Sequence, residues 1–122
     1  MEKKLLGRWG EECAAGYLKK KKYTIVGRNY ACRFGEIDIL AENRQYLVFC
    51  EVKLRKNAEF AQAREFVTAS KQRRLIAAAQ LWLSSNPTAK QPRFDVIEIY
   101  APQGAEGEVR INHIENAFEV SV

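Results

Sequence analysis

The chain predicts an α/β sandwich: a central mixed β-sheet flanked by helices, with elements in the order αβββαββ. Three observations lead there. Residues 3–20 and 68–85 place apolar side chains at helical spacing, five shorter runs read as strands, and polar or glycine-containing gaps separate them at short intervals. Neither a P-loop nor a Gly-x-Gly-x-x-Gly follows any strand, which disfavours the common nucleotide-binding folds. With 122 residues, 47% of them hydrophobic and no Pro/Gly/Ser-rich break, residues 1–122 read as a single domain around one core.

The first helix, residues 3–20, carries Leu6, Trp9, Cys13 and Tyr17 at helical spacing, with Gly10, Ala14 and Leu18 beside them. Tyr23 to Tyr30 reads as the first strand. Gly35 to Ala41 and Tyr46 to Arg55 follow as a hairpin, since the gap Glu42-Asn43-Arg44-Gln45 is short and polar. A loop through Asn57-Ala58-Glu59 leads to the second helix, 68–85, whose Leu75, Ile76, Ala79, Trp82 and Leu83 should pack on the sheet. Phe94 to Tyr100 is the fourth strand, Gln103 to Gly107 a turn, and Val109 to Ile114 the last strand.

The hairpin carries the chemistry. Its strands are strongly apolar yet hold Glu36, Asp38, Glu51 and Lys53, where a strand ordinarily has Val or Ile. Such groups are costly to bury without a partner, and a divalent cation with a phosphate is an economical one. Side chains alternate, so Glu36 shares a face with Asp38, and Glu51 with Lys53. Any register whose paired numbers sum to an odd value puts all four on one side, with Asp38 and Glu51 direct or diagonal neighbours able to offer oxygens to Mg²⁺. Ile37, Ile39, Val48, Cys50 and Val52 then form the opposite face, against a helix. Leu40, Leu47 and Phe49 extend the charged face as an apolar one, so the hairpin should be covered on both sides. The alternative is structural: an ion pair at a strand end and carboxylates capping a turn.

The net charge of +5 is unevenly spread. Residues 1–33 hold nine Lys/Arg against three Glu and residues 53–74 seven against two, whereas residues 93–122 hold two against six, so the basic excess flanks the hairpin. Lys19, Lys20, Lys21 and Lys22 form the densest run, read either as a solvated helix end or as phosphate contacts. Lys71, Arg73 and Arg74 stand where a helix start prefers acids, which suggests an anion-binding patch. Cys13, Cys32 and Cys50 fit neither a disulfide framework nor a zinc set; Cys13 and Cys50 read as small buried hydrophobes in a reduced, cytoplasmic protein. The N-terminus turns charged too early for a signal peptide, and no run is long enough to span a membrane. His113, the single histidine, reads as a half-exposed strand residue without a nucleophile partner.

Gly35-Glu36-Ile37-Asp38-Ile39-Leu40-Ala41 with Leu47 to Lys53 and Arg55 resembles the signature of the YraN-like family of small bacterial proteins. The resemblance extends through Gly10-Glu11 and Arg28-Asn29-Tyr30 upstream, and through Lys71, Arg74-Leu75 and Arg93-Phe94-Asp95-Val96 downstream. Phe60-Ala61, where the family often has Phe-Gly, and Cys50, where Val is usual, depart from it. The resemblance implies a restriction-endonuclease-like fold of the PD-(D/E)XK type, similar to archaeal Holliday-junction resolvases. It makes Asp38 the motif aspartate, Glu51 and Lys53 its E-x-K, and Glu11 the helix carboxylate.

The expected function is then a metal-dependent endonuclease hydrolysing phosphodiester bonds of nucleic acid, with DNA favoured over RNA and branched DNA a candidate substrate. Asp38, Glu51, the backbone carbonyl of Val52 and Glu11 would hold Mg²⁺ or Mn²⁺, and Lys53 would orient water or stabilise charge on phosphate. Glu36 would orient a ligand from behind and Arg55 clamp a neighbouring phosphate. A homodimer is compatible with this expectation. Two other classes compete: a module of the same fold that binds nucleic acid but cuts nothing, and a protein-interaction domain with merely solvated charges.

Overall fold

The protein is described by a computed structural model over residues 3–55 and 68–119. Helix α1 (Lys3–Lys20) is followed by strands β1 (Thr24–Cys32), β2 (Gly35–Glu42) and β3 (Tyr46–Arg55), helix α2 (Ala69–Ser85), β4 (Gln91–Tyr100), a 3₁₀ turn (Gly104–Glu106) and β5 (Arg110–Phe118). The loop expected at 57–59, and Phe60-Ala61, lie outside the described residues.

The helix ends have local causes. α1 stops in a paired-carbonyl turn: the Lys22 N–H donates to the Lys19 carbonyl (3.0 Å), and the Tyr23 N–H reaches back to the Leu18 carbonyl (3.0 Å). Lys22 itself adopts φ 73°, a left-handed conformation at the place glycine normally fills. α2 starts at Thr68, whose hydroxyl oxygen accepts the Lys71 N–H at 3.1 Å. In the β2–β3 turn the Asn43 side-chain oxygen accepts the N–H groups of Gln45 (2.9 Å) and Tyr46 (2.8 Å).

The five strands lie side by side in chain order. β1–β2, β2–β3 and β4–β5 are antiparallel; β3–β4 is parallel along its whole length, from Tyr46↔Gln91 to Arg55↔Tyr100. A parallel pair needs a crossover, and α2 occupies it. Ala14, Ala15 and Leu18 of α1 bury one face of the sheet with Ile39, Ala41, Val48, Cys50, Ile97 and Ile99. Leu75, Ala78 and Ala79 of α2 bury the other with Leu40, Leu47, Phe49, Phe94 and Val96. The hairpin is therefore central and covered on both sides, as its apolar faces predict.

Three expectations need correction. Ile37 packs in the α2 layer rather than with Ile39; it lies beyond the point where β2 is held to β3. β4 begins at Gln91, three residues earlier than Phe94: Pro92, which cannot donate to a ladder, pairs opposite Leu47 near the strand start. β5 runs on to Phe118 past Asn116, whose φ of 50° is fixed by its N–H donating to Asp95 Oδ1 at 3.0 Å.

Candidate active site

The β2–β3 ladder runs from Glu42↔Leu47 to Ile39↔Cys50 and stops there. On either side pairing continues, to Cys32↔Gly35 in β1–β2 and to Arg55↔Tyr100 in β3–β4. The sheet thus forks beyond Ile39 and Cys50, and the next residues on the two prongs are Asp38 and Glu51. The paired numbers sum to 89, the register that sets these carboxylates level. In place of the next backbone rung, Asp38 Oδ2 accepts the Val52 N–H at 2.8 Å. The N–H and C=O of one strand residue point to the same edge, so the Val52 carbonyl also faces the fork.

Further groups gather near this point from α1, from β3 itself and from α2. Gly10 is buried beside Leu54, bringing the N-terminal half of α1 over the end of β3, and the Glu11 charge acts on Asp38. Lys53 Nζ lies 3.3 Å from Glu51 Oε1, and Lys71 Nζ, from the first turn of α2, lies 2.6 Å from the same oxygen. A cleft of about 530 Å³ opens there, lined by Gly35, Glu36, Asp38, Glu51, Thr68, Ser70, Lys71, Arg74 and Leu75. Gly35 has φ 151°, a conformation side-chain-bearing residues rarely adopt, and its Cα faces the Arg74 stem.

Electrostatics set the protonation states. Burial pushes the Asp38 carboxyl up, the charges of Glu51, Glu11 and Glu36 push further, and the Val52 hydrogen bond offsets part, leaving it at about 7. For Lys53, burial lowers the ammonium and the adjacent Lys71 acts the same way, against the pull of Glu51. Lys71 moves oppositely: partial burial opposes its charge, but its hydrogen bond to Glu51 outweighs that and raises it. Two ammonium groups thus share one carboxylate oxygen, and the closer one, Lys71, is the one whose hold on its proton is strengthened.

The donor set suits a hard cation that keeps most of its water. Among the described residues no three His, Cys, Asp or Glu side chains converge on one point. Asp38 and Glu51 do stand level at the fork, on the edge that the Val52 carbonyl faces, and Mg²⁺ typically takes one or two carboxylates, completing its shell with water and substrate phosphate. The Lys71 ammonium on Glu51 shows that the position already attracts positive charge.

The fold brings together Asp38, Glu51, Val52, Lys53, Glu11, Glu36, Lys71 and Arg74, but not every expected group. Arg73 lines a different groove, beside Gln72 and Ile76. Lys19 to Lys22 lie at the other end of α1, where β1 begins opposite Glu42. Arg55 is the last residue of β3, paired in register with Tyr100 of β4, and is not among the residues lining the cleft.

Elsewhere in the sheet stand buried polar groups not anticipated from the sequence. Glu98, level with Lys53 in the parallel register, is 0% exposed and accepts hydrogen bonds from Tyr100 (2.7 Å) and Asn112 (2.8 Å). His113 is not half-exposed: its side chain is 6% accessible, with Nε2 2.6 Å from Asp95 Oδ2 and Nδ1 3.1 Å from the Tyr17 hydroxyl. Arg93 closes on Asp95 through two hydrogen bonds (2.9 and 2.8 Å) and donates to the Tyr23 hydroxyl (2.7 Å). The available signal was the one used for Asp38: Asp95 and Glu98 are carboxylates in an otherwise apolar strand. A wider cleft of about 620 Å³ lies near Arg93, Phe94 and Phe118, but Arg93 is already committed to Asp95.

The profile of the family described as "Uncharacterised protein family UPF0102" matches residues 10–99, which take in the fork, the C-terminal part of α1, all of α2 and all of β4 but its last residue. The chain belongs to the UPF0102 family. A UPF0102 protein of Caldanaerobacter subterraneus is 42% identical over 119 residues, covering 97% of this chain and 98% of that one. One from Syntrophomonas wolfei is 45% identical over 114 residues, 93% and 96% of the two chains. A third, from Geobacter sulfurreducens, is 43% identical over 121 residues, 97% and 91%. This UPF0102 chain therefore matches its relatives across nearly their whole length. Among the described residues no helix is long and apolar enough to cross a membrane.

Proposed function

We propose that the protein is a divalent-metal-dependent nuclease of restriction-endonuclease-like fold, hydrolysing phosphodiester bonds of nucleic acid, with DNA favoured. The observation that carries this reading is the fork: Asp38 and Glu51 level with one another where the β2–β3 ladder ends, with Lys53 on the Glu51 face. The order αβββαββ, with one parallel pair spanned by α2, supports the fold assignment.

Mg²⁺ or Mn²⁺, held by Asp38, Glu51 and the Val52 carbonyl with Glu11 nearby, would supply Lewis acidity toward phosphate and acidify water. The chain's own groups do the rest. The Val52 N–H fixes one Asp38 oxygen, so the carboxylate is oriented before any ligand arrives. Lys53, with a weakened hold on its proton, is suited to orient the attacking water or to stabilise charge on the phosphate oxygens. Arg74 and the Thr68 end of α2 line the same cleft and offer positive electrostatics to a neighbouring phosphate.

The test is a metal-titrated cleavage assay on branched, single-stranded and duplex DNA and on RNA. Cleavage should need Mg²⁺ or Mn²⁺ and be lost in Glu51→Gln. Lys53→Ala should bind metal by calorimetry yet cut nothing. Intact substrates throughout, with undiminished binding, would favour the second reading, a nucleic-acid-binding module that does not cut. Satisfaction of Glu51 by two lysines is the observation on that side.

A further inference from the structure

We infer that Lys71 is a displaceable occupant of the cation position: its ammonium neutralises Glu51 when no metal is bound, and metal entry releases it to a phosphate in the cleft. This rests on the reading of Asp38 and Glu51 as a metal site. Lys71 Nζ sits 2.6 Å from Glu51 Oε1, on the carboxylate that a cation shared with Asp38 would also use. A divalent ion and an ammonium cannot both sit within bonding distance of that carboxylate without strong mutual repulsion.

Geometry favours Lys71 over Lys53 as the group that leaves. Lys53 belongs to β3, two residues from Glu51, on a strand held to β4 along its length; its Nζ is farther away, at 3.3 Å. Lys71 reaches across from α2, and its side chain is the more exposed of the two, 36% against 25%. Swinging it outward breaks no strand pairing. Its backbone stays anchored, since the Lys71 N–H is held by the Thr68 cap, so the released ammonium remains beside Arg74 in the same cleft. The same charge thus serves twice, on the carboxylate in one state and on the phosphate in the other. Metal and nucleic acid would then favour each other's binding, because the metal frees a phosphate-binding cation.

Calorimetric titration with Mn²⁺ alone, without nucleic acid, tests this on wild type, Lys71→Gln, Lys71→Arg and Asp38→Asn. Lys71→Gln should bind about tenfold more tightly than wild type, the scale of one lost ion-pair competitor. Lys71→Arg should stay near wild type, and Asp38→Asn should lose binding. Equal or weaker binding by Lys71→Gln overturns the displacement while leaving the metal site standing. Absence of binding in wild type and in Lys71→Gln overturns both. Nitrogen-15 NMR of the wild-type lysine ammonium groups needs no variant: the Lys71 signal should be ordered without metal and become mobile on adding Mg²⁺. A Lys71 signal unchanged by saturating Mg²⁺ also overturns the proposal.

Discussion

Asp38 holds its proton more tightly in the folded chain than in the unfolded one, about 7 against 3.8. Its contribution to stability is therefore fully present below about pH 4 and is lost as the pH rises through about 7. In chelator, Asp38→Asn should melt above wild type at pH 8, and the gap should close toward pH 5. The Asn side chain can still accept the Val52 N–H. Adding Mg²⁺ at pH 8 should raise the wild-type melting temperature alone. A lower melting temperature for Asp38→Asn in chelator at pH 8 would mean that the carboxylate is a structural counter-ion. At this scale the sequence was informative where a charge interrupts an apolar strand, as at Asp38 and Glu51. It marked Lys71 as a candidate anion contact but was silent on its pairing with Glu51, because a cation on one helix and a carboxylate on a strand twenty residues earlier carry no mark of being partners.

Among the elements, β4 and the end of α1 show how polar groups can define packing. The Asp95 carboxyl is held below its usual range: burial opposes its charge, but His113, Arg93 and the Asn116 N–H together outweigh that. Its stabilising contribution is present above about pH 4 and is lost as acid drives the pH through its folded value. Asp95→Asn should cost about 3–5 kcal/mol by leaving Arg93 buried and poorly paired, measured by urea unfolding at pH 7. At the other end of α1, Lys22→Gly should stabilise by about 1 kcal/mol in the same assay, because glycine adopts φ 73° without strain. Helix limits were nearly legible, 3–20 and 68–85 against Lys3–Lys20 and Ala69–Ser85, because periodicity and the Thr68 cap are local signals. The strand ends at Gln91 and Phe118 were not, since Pro92 and Asn116 fit a strand only through contacts made elsewhere in the fold.

For the whole molecule, charge distribution is the property that decides how a polyanion docks. Lys71 and Arg74 face the fork, whereas Lys19 to Lys22 sit at the opposite end of α1, on the order of 13 Å along the helix axis from Glu11. If docking centres on the fork, affinity for a short DNA duplex falls steeply with salt. Arg74→Ala should lower the log–log slope by about one unit, while Lys20→Ala should leave it unchanged. An equal drop for both would extend the footprint along α1. The mixed sheet was legible at this scale because hairpins are local in sequence and the long α2 stretch implies a crossover.

That crossover also orders the assembly of the protein in time. The turns joining β1 to β2 and β2 to β3 are short, so these strands can meet early, whereas the β3–β4 seam requires closing a loop of more than thirty residues around α2. Asp38 and Glu51 belong to the fast local meander; Lys71 rides the slow segment. During each refolding event the carboxylate pair would then be approximated before its neutralising lysine arrives, and closing the long loop has to overcome less repulsion when a free cation is already there. Divalent ions would on this account act on the rate of folding as well as on the finished protein.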